Sequence, residues 1–243
     1  MALIEVDTRE FPRCKHRHTI LTHPNCFAKE LEKCVHRHSI LTHPQCFDRE
    51  GRPKKTDWWI GKKIGFLDIE TTNLNAPFGK TLCWYIKSEG KNEYDKFCID
   101  PKDVVNKDIT DKHVIQALCD VLNSHKYDII MTYYGCRFDI PFVRSRALKH
   151  GIDFPVQGET YHLDLYFATR SKLKLHSNRL ASACEYFGIS GKTGLSTSIW
   201  ADATCGDAGS LKYIYEHNKG DVGILEQLYL KLRPYISFTK RSV

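Results

Sequence analysis

The order of apolar and polar positions divides the chain near residue 63. Beyond it, residues 64–71 (IGFLDIET) form an apolar run with two embedded carboxylates, Asp68 and Glu70, which predicts a buried strand. Residues 81–87 (TLCWYIK) and 94–99 (YDKFCI) predict two more strands joined through a polar, Gly-containing connection, so the first three elements suggest an antiparallel meander. Val114, Leu118, Val121 and Leu122 recur at helical spacing within 110–124, where Thr110 or Asp111 supplies a cap. Residues 128–134 (DIIMTYY) predict a buried strand that Gly135 breaks. A helix follows from Phe138 and Asp139 to Gly151, with Pro141 in its first turn. Residues 161–166 (YHLDLY) predict another strand, 176–188 a helix ended by Gly188, and about 209–232 a long helix that stops before Pro234. The order β-β-β-α-β-α, then a short strand and helices, predicts an α/β fold with a mixed β-sheet flanked by helices.

Within that pattern Asp68 and Glu70 carry the first chemical signal. Residues i and i+2 of a strand share a face, so both carboxylates point the same way. Two acids on one side of a buried strand repel, and need a cation or protons to coexist. Asp139, at the start of its helix, is either a cap or part of the same chemistry. Asp164 in YHLDLY reads as a structural acid, and Cys83, Cys98, Cys119, Cys136, Cys184 and Cys205 as buried or free thiols that no spacing groups. No Ser/His/Asp or Cys/His nucleophile arrangement is present.

Before residue 63 the pattern is a repeat with a period of 20 residues. CKHRHTILTHPNCF at 14–27 returns as CVHRHSILTHPQCF at 34–47. Each copy supplies two Cys and three His, one more than a tetrahedral Zn²⁺ needs. The first copy offers Cys14, His23 and Cys26 with His16 or His18. The second offers Cys34, His43 and Cys46 with His36 or His38. A 14-residue segment buries too little surface to order itself, and a structural zinc contributes roughly 10–16 kcal/mol of apparent binding free energy to small peptides. One or two Zn²⁺ ions are therefore expected, bound separately or through interleaved ligands. Residues 51–62 read as a polar, basic linker, which makes 1–50 a zinc-binding module and 63–243 the main domain.

Composition narrows the picture further. With 243 residues, 42% hydrophobic, the chain can bury one good core plus an appendage, and 27% charged with 12% aromatic residues excludes a largely disordered chain. The net charge is +7, and 1–63 carries 13 basic against 8 acidic residues, which permits a nucleic-acid partner without demanding one. No apolar run approaches the roughly 18 residues of a membrane helix, and the opening stretch lacks a signal-peptide pattern, so a soluble, intracellular (cytoplasmic) protein is expected, without a membrane partner.

Three segments carry a likeness to a known family: FLDIETTNL with Asp68 and Glu70, YYGCRFDIPFVRSRA with Asp139, and YEHNKGDVGIL with Asp221. Together with HLDLY at 162–166 and the stretch from Leu180 to Lys192, they resemble the DnaQ-like, or DEDD, 3′–5′ exonucleases of the ribonuclease H-like superfamily. The likeness is strongest to proofreading domains of B-family DNA polymerases and their stand-alone relatives, over roughly residues 62–233. It implies a ribonuclease H-like sheet, two Mg²⁺ or Mn²⁺ ions on Asp68, Glu70, Asp139 and Asp221, and a single-stranded DNA or RNA substrate. A polymerase or other replication or repair protein would then be a partner in trans. By analogy Thr71 and Phe138 contact the terminal nucleotide, and Tyr134 is a third candidate substrate contact. Two positions depart from the family pattern. Tyr134 stands where relatives have Asn, and His217 stands four residues before Asp221, where one subgroup has Tyr. His217 and Asp221 share a helix face at i, i+4, so the imidazole is a candidate general base or water-positioning group. A silent binding module on the same fold, or a structure-specific or RNA-directed endonuclease, is the alternative.

Overall fold

The computed structural model describes residues 59, 61–106, 110–191, 193–238 and 241–243. The ten Cys and His candidates for zinc in 14–46, and most of the linker, lie outside the described residues. Five strands, β1 (Ile64–Thr71), β2 (Thr81–Ser88), β3 (Tyr94–Cys98), β4 (Ile129–Thr132) and β5 (Tyr161–Asp164), form one mixed sheet in the order β3-β2-β1-β4-β5. The first three run as the expected antiparallel meander, while β4 and β5 join parallel to β1.

Seven helices flank the sheet among the described residues: α1 (Pro101–Val105), α2 (Lys112–Asn123), α3 (Asp139–His150), α4 (Leu165–Lys172), α5 (Leu180–Tyr186), α6 (Thr197–Thr204) and α7 (Ala208–Leu232). The two-residue period of β1 sorts the faces. Ile69 pairs with Trp84, whose indole N–H donates to the Val114 carbonyl of α2 at 2.9 Å. Phe66 turns the other way and packs on Tyr229 of α7 with ring centroids 5.5 Å apart. Asp68 and Glu70 share the Phe66 face and therefore look toward α7. Inward positions of α7, among them Leu211, Ile214, Val222, Leu225 and Leu228, are fully buried and fix that helix across the sheet.

Several elements differ from the sequence expectations. β4 stops at Thr132 rather than 134, because Tyr134 adopts a left-handed backbone (φ 68°) at the turn into α3. A side chain at Gly135 would collide with Thr132, so glycine is required there. The strand expected at 161–166 ends at Asp164, whose carboxylate accepts from the Tyr166 N–H and caps α4. The helix expected over 176–188 covers only Leu180–Tyr186; Leu173 and Leu175 precede it and pack on the α5–α7 apolar cluster as irregular chain. The short helices α1 and α6 escaped the hydrophobic pattern; Asp100 and Ser196 cap them. No helix among the described residues is long and apolar enough to cross a membrane.

Candidate active site

β1 and β4 pair in parallel only as far as Phe66 and Met131. Past that point β4 turns away, and the Ile69 N–H takes a side-chain partner: Asp139 Oδ1 accepts from it at 3.2 Å. The first residue of α3 is thereby held against β1 between the two predicted strand acids. Asp139 is 4% exposed, and burial raises its carboxyl to about 7 despite the backbone N–H groups that favour the charged form. Crevices of this kind, at the carboxyl ends of diverging parallel strands, are where α/β sheets place ligands.

From the other side α7 presents three polar residues in its buried stripe. Asn218 Nδ2 donates to Asp68 Oδ2 at 2.6 Å. His217 Nε2 lies 3.6 Å from Asp221 Oδ2 and 3.9 Å from Glu70 Oε1. His217 Nδ1 bonds the Thr193 hydroxyl at 2.6 Å. The structure thus gathers Asp68, Glu70, Asp139, His217 and Asp221 from β1, α3 and α7. Asn218 and Thr193 went unrecognised in the sequence. Asn218 carried a signal, since it lies three residues before Asp221 on the same helical face. Thr193 sits in an aperiodic segment and carried none.

The analogy-based substrate contacts are placed less uniformly. Thr71 is buried, and its hydroxyl donates to the Asn73 carbonyl at 2.9 Å. Phe138 immediately precedes Asp139 and packs on Phe142, 5.6 Å between centroids. Tyr134 is 46% exposed beside α3, edge-on to Tyr166 at 4.8 Å. Asp164 is structural, as expected: its carboxylate accepts from the Tyr134, Cys136 and Tyr166 N–H groups.

Among the described residues no three His, Cys, Asp or Glu side chains form a ready-made metal cluster. The donor set nonetheless suits a hard divalent cation. It is rich in carboxylate oxygens, Asp68 and Asp139 receive only neutral amide donors in the bonds above, and Asn218 Oδ1 is buried with no hydrogen-bond partner among the described residues.

Comparison with known proteins agrees with this geometry. The family model of the RNase_H superfamily matches residues 65–233. The chain belongs to the RNase H superfamily. The matched stretch holds all five candidate residues of this RNase H superfamily chain. Among solved structures it is similar to the family B DNA polymerase from the hyperthermophilic archaeon Pyrobaculum calidifontis, with 19% identity and a TM-score of 0.58 over 76% of this chain. It spans 26% of that polymerase's length, and the likeness is one of fold. No curated protein sequence matches the chain.

Proposed function

We propose that this RNase H superfamily chain is a metal-dependent 3′–5′ exonuclease acting on single-stranded nucleic-acid 3′ ends. The observation that carries the reading is the convergence of Asp68, Glu70, Asp139 and Asp221 with His217 where β1 and β4 diverge. Clustered carboxylates repel phosphates, so a module that only bound nucleic acid would gain little from them. Asp68, Glu70, Asp139 and Asp221 would hold two Mg²⁺ or Mn²⁺ ions, which when bound supply Lewis-acid activation of water and charge neutralisation at the phosphate. The protein's own residues orient and move protons. Asn218 fixes the Asp68 carboxylate. His217, whose Nδ1 bonds the Thr193 hydroxyl and whose Nε2 faces Glu70 and Asp221, would accept a proton from the attacking water. The Cys/His repeat, holding one or two Zn²⁺, adds a basic surface for the same strand.

Product length tests the reading. With 5′-labelled single-stranded DNA and RNA and Mg²⁺ or Mn²⁺, a ladder that shortens one nucleotide at a time from the 3′ end is expected on a gel. Internal fragments alone would replace exonuclease with endonuclease. Absence of any metal-dependent product with zinc-loaded protein would leave a binding module. A smaller effect is expected for Asn218→Ala. Loss of a hydrogen bond to a charged group removes about 1.5–3 kcal/mol, roughly 10- to 150-fold in single-turnover rate. A rate within twofold of wild type would remove Asn218 from the site.

A further inference from the structure

On the far side of α3 from Asp139 lies a cavity of about 520 Å³ whose lining includes Arg137, Arg144, Arg241, His162, Cys136 and Phe167. Its construction brings together three parts of the chain. Residues 241–243 return to the β5 edge: the His162 N–H donates to the Arg241 carbonyl at 2.6 Å, Tyr161 bridges Ser242, and the Val243 N–H donates to Thr160. That return sets Arg241 opposite Arg137 and Arg144. Arg137 lies in the turn just before α3 and Arg144 within the helix, and Pro141 of its first turn lines the cavity with them. Asp139 lies about 140° around the helix from Arg144, so one helix separates the candidate catalytic acid from the arginines.

All three guanidinium groups are exposed, and none pairs with a carboxylate among the described residues. Arg144 is braced by stacking on Phe154, 5.1 Å from the ring centroid. The acid at the end of β5, Asp164, is committed to three backbone N–H groups. His162, which also lines the cavity, is held neutral down to about 4 chiefly by burial; Asp164 pulls the other way, and Arg241 and Arg144 add to the lowering. An aromatic path leads back toward the site. Phe167 lines the cavity and packs edge-on to Tyr166 at 5.1 Å, and Tyr166 packs on exposed Tyr134 at the entry to α3.

We infer that the Arg137–Arg144–Arg241 cavity binds backbone phosphates of the nucleic-acid strand whose end lies at Asp139, with Tyr134, Tyr166 and Phe167 as stacking surface between the two places. Cations close to rings, exposed at Tyr134 and half-buried at Tyr166 and Phe167, suit sequence-tolerant single-strand binding, and bidentate arginines suit phosphate. A cavity of this volume admits a nucleotide unit. The inference rests on the nuclease reading for the direction of the strand, and its test does not depend on cleavage.

Binding is measured by anisotropy with 5′-fluorescein dT20 and full-length protein in an Asp68→Ala background, so that no substrate is consumed. Arg137→Gln/Arg144→Gln/Arg241→Gln is expected to weaken binding at least tenfold at 0.1 M salt. It should also lower the slope of log K against log salt by about two, since each single-strand phosphate contact contributes about 0.7. The charge-matched control Lys91→Gln/Lys96→Gln/Lys102→Gln, on the β2–β3 turn, on β3 and just beyond it at the opposite edge of the sheet, should change affinity by less than about twofold. Equal losses in the two variants would overturn the proposal, as would strand affinity unchanged while poly-L-glutamate binds wild type and not the variant. Melting curves check folding. If the triple variant melts early, Arg137→Gln and Arg241→Gln singly must each lower the slope. Absence of cleavage by wild type, with the arginine effect intact, would sink the exonuclease and leave this site standing.

Discussion

Asp68→Ala is expected to abolish metal-dependent cleavage, lowering the single-turnover rate about a thousandfold or more, while the protein stays folded. The size follows from the place of Asp68. It sits at the middle of β1 between Ile69, whose N–H holds Asp139, and Asn218 of α7, so it faces both flanking elements. On the proposed reading Asp68 would hold metal, and losing that ligand would give up several kcal/mol of transition-state charge stabilisation; about 4 kcal/mol already amounts to a thousandfold. Stability should hardly move. Asp68 is a carboxylate on the same face as Glu70, and relief of that repulsion offsets the cost of leaving the buried Asn218 amide without its acceptor. Strand affinity should hold or rise, since a negative charge leaves the neighbourhood of a phosphate. The decisive comparison is cleavage rate against melting temperature: activity within tenfold of wild type, in folded protein, would place the hydrolytic centre elsewhere.

The two acids on β1 were legible because strand periodicity alone puts residues 68 and 70 on one face, and an apolar strand makes charges conspicuous. Asp221 was legible through the family likeness of YEHNKGDVGIL, and His217 then by its four-residue helical spacing from it. What joins these elements was not. Asp139 reaches β1 because β4 diverges after Met131 and leaves the Ile69 N–H for a side chain, a consequence of sheet register between residues 70 apart. Asn218 was hidden by its ordinary identity, and Thr193 by an irregular segment whose path depends on α7. The boundaries at 132 and 164 failed for one reason. Tyr134 and Asp164 are turn residues disguised by apolar neighbours, and Asp164 closes both turns with a single carboxylate. Propensity describes neighbours in sequence, whereas the turn at Tyr134 is set by a partner about 30 residues away, the same carboxylate that caps α4 locally.

Asp111→Ala is expected to be the most destabilising simple substitution in the described domain, lowering the melting temperature by about 6–20 °C. Asp111 stands at the N-cap position of α2 yet makes no capping bond there. Its carboxylate is fully buried, accepts from Arg146 and from the Thr81 N–H at 2.8 Å, and lies 2.9 Å from His150 Nε2. Arg146 in turn donates to the Ala76 carbonyl at 3.0 Å, which ties the β1–β2 loop, directly after Glu70 and Thr71, to α3. Removing the acid strands a buried guanidinium, a loss of about 3–5 kcal/mol, and a domain of this size loses about 2–4 °C per kcal/mol. Acid should act on the same network. Burial alone would raise the Asp111 carboxyl, but Arg146, Thr81 and His150 overturn that and hold it below its ordinary value. A carboxyl depressed in the folded state stabilises above its unfolded pKa of about 3.9, and that stability fades as pH falls through the lower folded value. His162 acts in a higher window. Held neutral to about 4 in the fold and titrating near 6.5 when unfolded, it withdraws stability as pH drops from about 6.5 to 4. Asp139, raised to about 7 in the fold against about 3.9 when unfolded, gains stability over nearly the same window and offsets His162. The step that remains is the lower one, which wild type should show and Asp111→Ala should lack. Melting temperatures measured from pH 7 to pH 3 decide it: a variant within about 2 °C of wild type at pH 7, or one that retains the lower step, would show that Asp111 does not hold the β1–β2 loop and α3 together.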